Sequence, residues 1–189
     1  MKFLKFAIPL TASLLFLGCT SQSPKTQPSP IPSANLPTPS NTSLKEAVNE
    51  LVVLEDKVKG GVDDQAYSII ITNALPLVQN ARGDAKAVAA MKSAFQGHQL
   101  ALQFWQCDRV QGYDKLRQCR SQALLDIFAK YPDIKAQAEA AVKNQDLLTL
   151  SVKLDRDEIL KKIWEKAWAD TTVARQVISP DPTQKQHQP

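Results

Sequence analysis

From Leu44 to Ala174 the apolar residues of this chain recur at steps of three and four, the repeat that gathers them on one face of a helix. Leu44, Ala47, Leu51, Leu54 and Val58 make the first stripe. Ser43-Leu44-Lys45-Glu46 has the spacing of a capping box, and Gly60-Gly61 closes the helix. Asp63 is placed to cap a second helix to about Asn80, with Tyr67, Ile71, Ala74 and Val78 inward. Pro76 removes a backbone donor there and predicts a kink, while the strand-favouring run Ile69-Ile70-Ile71-Thr72 is outweighed by the helical period around it. Asp84 opens the clearest helix, to about Arg109, with a stripe of Val88, Met91, Phe95, His98, Leu102 and Trp105. A fourth helix, about Lys115 to Lys130, turns Leu116, Cys119, Ala123 and Ile127 inward. Pro132 starts a shorter one, Asp133 to about Lys143. Asp155-Arg156-Asp157-Glu158 caps the last, to about Ile178, carrying Leu160, Trp164, Ala167, Thr171 and Ala174. Leu148, Leu150, Val152 and Leu154 instead alternate with polar residues, a strand signal without a second strand to pair it. That stretch is expected as an extended connection laid over the bundle. The pattern as a whole predicts an all-α domain over residues 43–178, an up-and-down helical bundle with extra short helices.

The flanks have a different composition. Thr20 to Asn41 holds six prolines among Ser, Thr and Gln, with almost nothing to bury, and reads as a disordered, proline-stiffened tether. Fully extended, its 22 residues reach roughly 70 Å. Residues 179–189, with three further prolines, read as a disordered tail. At the other end, Lys2 and Lys5 precede a 12-residue apolar run, Phe6 to Leu17. It falls short of the about 20 residues needed to span a bilayer and has the layout of a cleavable secretory signal over residues 1–18.

The junction Leu15-Phe16-Leu17-Gly18-Cys19 resembles the lipobox of bacterial lipoproteins, with Gly18 as the small residue before the cut; Phe16 stands where that family prefers Leu. The resemblance implies that Cys19 becomes the acylated first residue of the mature chain, a membrane anchor that hardly dissociates. An ordinary signal peptide with an incidental cysteine is the alternative. Thr20 follows where lipoproteins retained in the inner membrane often carry Asp, which implies the outer membrane, facing the periplasm. The folded part resembles small secreted helical domains of uncharacterised function, through Tyr67 after a capped start and the pair Phe104-Trp105. No site residue follows from that second likeness.

Charge narrows the choice of partner. The chain carries a formal +4, but its leader takes two lysines with it, and residues 43–178 hold 19 basic and 18 acidic side chains with the signs interspersed. Such a domain lacks the electrostatic footprint of a nucleic-acid binder. With Cys19 lipidated, Cys107 and Cys119 remain as an even pair in a compartment that permits disulfides. Each falls about one turn from the loop of a predicted antiparallel hairpin, within reach of the other. Two unpaired buried thiols are the alternative.

Catalytic signals are sparse. His98 is the one histidine of the folded region and reads as a core residue bonded to a neighbour. A zinc site lacks ligands, and no nucleophile elbow or phosphate-cradling loop occurs, so no catalytic residue, metal or cofactor is expected. Asp155, Asp157 and Glu158 read as helix-start acids, and Lys115, Arg117 and Arg120 as a solvated basic run beside Asp108 and Asp114. Trp164 and Trp168 share a helical face. Together with Trp105 and Phe104 they either fill a core or line a surface for a ligand or partner, with Trp168 the more exposed. The expected function is that of a non-catalytic envelope lipoprotein, anchored to the membrane, whose helical module binds an as yet unknown envelope protein. The second reading is a binding protein holding an apolar ligand or lipid between helices.

Overall fold

The computed structural model describes residues 42–142 and 145–179. The leader, Cys19, the tether up to Asn41 and the tail beyond Ser179 lie outside the described residues. Among the described residues seven α-helices follow one another: α1 (Thr42–Lys59), α2 (Asp64–Asn80), α3 (Ala85–Gln106), α4 (Tyr113–Lys130), α5 (Pro132–Ala141), α6 (Leu147–Lys153) and α7 (Arg156–Ile178). The fold is an all-α bundle. Among the described residues no helix is long and apolar enough to cross a membrane.

The local signals act largely where the sequence places them. The carboxylates of Asp63, Asp84 and Asp155 accept from the backbone N–H groups of Ala66, Ala87 and Glu158 at 2.8–2.9 Å, satisfying donors that helix starts leave free. Pro132 stands in the first turn of α5, where its missing N–H costs nothing. Gly61, at φ +85°, turns the chain out of α1, a conformation that suits glycine. The expected inward face of α2, Tyr67, Ile71, Ala74 and Val78, is the buried one, and the helix runs on through Pro76.

Three expectations change. α1 begins one residue before Ser43, whose hydroxyl accepts from the Arg82 N–H at 3.2 Å and so ties α1 to the loop after α2. α3 ends at Gln106, and Cys107–Arg109 tightens into a 3₁₀ turn. The segment read as extended is the helix α6. Asp146 caps it, accepting from Thr149 N–H at 3.0 Å. Leu150, Ser151 and Leu154 are buried, with Leu147 packed at the core edge. Those four positions follow helical spacing, i, i+3, i+4, i+7, which the louder alternation of leucines masked. Among the described residues no strand neighbours it, so its backbone groups have no ladder to join and a helix satisfies them internally.

α3 is the central helix, touching α1, α2, α4 and α7, and its pairing with α7 is the most extensive in the molecule. The cause is side-chain size. Ala94, Gly97 and Ala101 on α3 and Ala167 and Ala174 on α7 are buried. A Cβ on Gly97 would lie 3.1 Å from Ala167 Cβ and 2.5 Å from the Tyr131 hydroxyl. The buried stripe of α3 is therefore centred on small residues with Met91, Phe95 and Phe104, while Val88, Leu102 and Trp105 sit at its edges.

Cys107 and Cys119 close the α3–α4 corner at disulfide distance, with Sγ atoms 2.01 Å and Cα atoms 5.6 Å apart. Closing that short loop stabilises the fold by about 3 kcal/mol in the chain-entropy account. Non-reducing peptide maps of the mature protein are expected to show Cys107 and Cys119 in one linked pair, and reduction is expected to lower the unfolding midpoint; two alkylatable thiols in oxidising buffer would contradict this.

Candidate functional site

Tyr67 stands at the centre of the site. Carried by the first turn of α2, it is wholly buried among His98 and Trp105 from α3 and Trp164 from α7. Its ring centroid lies 5.8 Å from that of Trp105 and 6.0 Å from that of Trp164, and the two indoles stand 5.7 Å apart, nearly edge to face. Such arrangements place ring edges against π faces and favour contact beyond area burial alone. Trp164 Nε1–H donates to the Tyr67 hydroxyl at 3.0 Å, and the hydroxyl lies 2.8 Å from His98 Nδ1. Burial raises the Tyr67 pKa far above its ordinary value, so the phenol keeps its proton. The same burial lowers His98 to about 4, so its imidazole is neutral at physiological pH.

Between α1 and α7 an apolar-walled cleft of about 250 Å³ opens over this cluster, lined by Glu55, Val58, Lys59, His98, Trp164 and Trp168. Two of its lining residues each carry a buried side-chain atom without a hydrogen-bond partner, His98 Nε2 and Glu55 Oε1. Burial raises the Glu55 pKa, opposed by the neighbouring Thr171 hydroxyl and by the positive charge of Lys59. At the mouth Trp168 is 45% exposed, and the Lys59 ammonium sits 3.1 Å from its ring centroid, a cation–π contact that covers one face of the indole. Larger surface hollows of about 410–560 Å³ have no buried unpartnered polar atom among their lining residues.

The structure thus brings Trp164 and Trp168 to one cleft, with Trp164 half-buried and turned also towards the core. The expected core role of His98 holds for Nδ1, whereas Nε2 faces unmet demand. Glu55 was not anticipated. Its signal was available: it lies four residues after Leu51 and one after Leu54, on the buried side of α1. Cys107 and Cys119 lie at the α3–α4 corner, and Cys19 is outside the described residues.

A second polar cluster was also invisible in the sequence. Lys130 Nζ donates to Ser93 Oγ at 2.8 Å, and Ser93 Oγ donates to Asp170 Oδ2 at 2.6 Å, linking α4, α3 and α7. Burial lowers the Lys130 pKa, with the Asp170 charge opposing. A lysine beside a serine can activate it as a nucleophile, but the base must then receive the serine proton. Here the carboxylate takes it, and the cluster is an ionic bridge with a hydroxyl in the middle. Two members of the basic run are likewise engaged: Arg120 pairs with Asp108 at 2.6 Å, Asp108 also pairs with Arg156 at 2.9 Å, and the Arg117 guanidinium lies 5.7 Å from the Tyr113 ring centroid. Asp155 caps α7 and Asp157 pairs with Arg156 at 2.6 Å.

No family model matches the chain, and no curated protein and no solved structure resembles it significantly.

Proposed function

We propose that this chain is a lipid-anchored envelope protein whose helical domain is a non-catalytic binding module, with the cleft between α1 and α7 as its binding site. The anchor rests on Lys2, Lys5, the apolar run and Gly18-Cys19. The cysteine pair at disulfide distance suits the oxidising compartment which that leader implies. Of the two roles the sequence suggested, capture of a small apolar ligand fits the cleft better than assembly with a protein. One observation carries this: a hollow with largely apolar walls, bounded by the half-buried indole of Trp164 and the exposed indole of Trp168. Small-molecule sites are typically concave, with mostly apolar and aromatic walls. A hollow of about 250 Å³ is too small for a lipid but holds a small molecule or one inserted side chain.

Fluorobenzene titrated into the full chain is expected to shift the indole resonances of Trp164 and Trp168 well before any others. Resonances that stay put up to the solubility limit of the probe would rule out the cleft as a ligand site. The anchor is tested separately. Cys19→Ser is expected to release the protein from membranes or block its maturation, and unchanged membrane fractionation would overturn the assignment.

A further inference from the structure

We infer that this chain pairs with a second copy of itself through the solvent face of α2, in an antiparallel two-fold contact centred on Asn73. That surface is separate from the cleft between α1 and α7, to whose lining α2 contributes no residue.

Composition singles out α2. Of the whole chain 22% is charged, yet no Asp, Glu, Lys or Arg stands between Gln65 and Ala81. Asp64, the one charged residue of the helix, is taken by Arg109. Tyr67, Ile71, Ala74 and Val78 form the buried face. On the opposite face Thr72, Asn73 and Pro76 are exposed, together with Ile69 at 56% and Leu77 at 37%. A helix against water ordinarily carries charge on its outer face. This one has large aliphatic groups and neutral polar ones, the composition of an interface core, from which charged residues are depleted. α3, which packs beside it, likewise has no Asp, Glu, Lys or Arg from Ser93 to Gln106.

The spacing says what covers the face. Ile69, Asn73 and Leu77 stand four residues apart and so form one stripe with Asn73 at its midpoint. A two-fold axis at Asn73 that sets two copies antiparallel brings Ile69 of each to Leu77 of the other, and Asn73 to Asn73. The stripe is its own complement. Apolar meets apolar on either side of a central amide, and an amide both donates and accepts, so it satisfies its own copy. Pro76 leaves a further acceptor. It has no N–H, so the carbonyl of Thr72, the neighbour of Asn73, lacks the donor that a helix would give it four residues on. The Asn73 amide of a second copy is a donor for it. No like charges face each other across the axis, whereas a charged partner would bury its charges against no counter-charge.

The 17 residues of α2 present a face roughly 25 Å long and 10 Å wide, on the order of 250 Å². Standard stable complexes cover about 800 Å² per partner. The dimer is therefore weak in dilute solution and is favoured where copies are concentrated, as on a shared membrane under the proposed anchor; the anchor sets its extent and not its geometry.

Asn73→Cys in the full chain, oxidised with copper phenanthroline in whichever fraction holds the protein, is expected to give a disulfide-linked species of twice the chain mass on a non-reducing gel. The parent chain with its own three cysteines, and Leu125→Cys at an exposed position on α4, are expected to give far less. Ile69→Lys and Leu77→Lys, each added to Asn73→Cys, are expected to cut the yield roughly tenfold, because each sets an ammonium against an aliphatic side chain twice per dimer. Both positions are exposed, and melting curves matching the parent's check that the fold is kept. Ile69→Lys combined with Leu77→Glu is expected to restore the yield, since every ammonium then faces a carboxylate of the other copy. Equal yields at Asn73→Cys and Leu125→Cys, or no gain over the parent, would overturn the pairing. An adduct of any other mass would give the face to a different partner and overturn the second copy as its occupant. Loss in both single variants without rescue in the double would overturn the antiparallel register. Because the oxidation runs in either fraction, a failed anchor and a failed pairing give different results.

Discussion

Tyr67→Phe is expected to lower the stability of the domain by about 2–4 kcal/mol, a fall in melting temperature on the order of 10 °C, although it removes a single oxygen. The Tyr67 hydroxyl receives the Trp164 indole N–H at 3.0 Å and meets His98 Nδ1 at 2.8 Å. Its loss strands both groups where water does not reach His98, whose exposure is 0%. Each buried polar group left unmet costs about 1–3 kcal/mol, more than the net worth of a made bond. Tyr131 supplies the control. Its ring is also buried and its hydroxyl has no partner, so Tyr131→Phe removes an unmet group and is expected to leave stability unchanged or slightly higher. Thermal or urea unfolding of the two variants decides the point. Equal losses would mean that ring packing, and not the hydrogen-bond chain, is what Tyr67 provides.

Acid is expected to destabilise the domain through His98 between about pH 6.5 and pH 4. In the unfolded chain a histidine takes up its proton near pH 6.5, whereas burial holds His98 in the folded state at about 4. Within that window the unfolded state binds more protons, so stability falls as pH falls. The full contribution is roughly 3 kcal/mol, present above pH 6.5 and lost once the pH has dropped to about 4. Glu55 acts with the opposite sign. Its raised pKa means that the folded state takes up a proton earlier than the unfolded one, which offsets part of the loss. Asp64, Asp133, Asp146 and Asp157 have lowered values, so they add to the loss only at the acid end of the window, where the unfolded carboxylates begin to protonate. His98→Leu keeps the helix and leaves the Tyr67 hydroxyl the carbonyl of residue 98 to bond. Its stability is expected to hold or rise slightly from pH 6.5 to 4, as Glu55 takes up its proton, while the parent declines. Parallel declines would show that His98 is not the acid-sensitive group.

By itself the sequence determined the helical class, nearly every helix and most of the inward faces, because period, caps and prolines act within a few residues of where they stand. The caps at Asp63, Asp84 and Asp155, the stripe through Tyr67 and Val78, and the hairpin that brings Cys107 to Cys119 all belong to this kind. Where local signals conflicted, as in the alternating leucines of α6, the outcome turned on an environment that no window of residues contains: among the described residues no strand was at hand to pair, and a helix was left as the way to satisfy the backbone. The site was decided only in three dimensions. Trp164 and Trp168 could be placed on one face from their spacing, but Tyr67 on α2 and Trp164 on α7 are 97 residues apart, and their hydrogen bond exists only once the helices have packed. Glu55 meets the cleft from α1, and Ser93 meets Lys130 and Asp170 from two other helices. Hydrogen bonds of this length are set by helix packing to within a few tenths of an ångström, and periodicity carries no information at that scale.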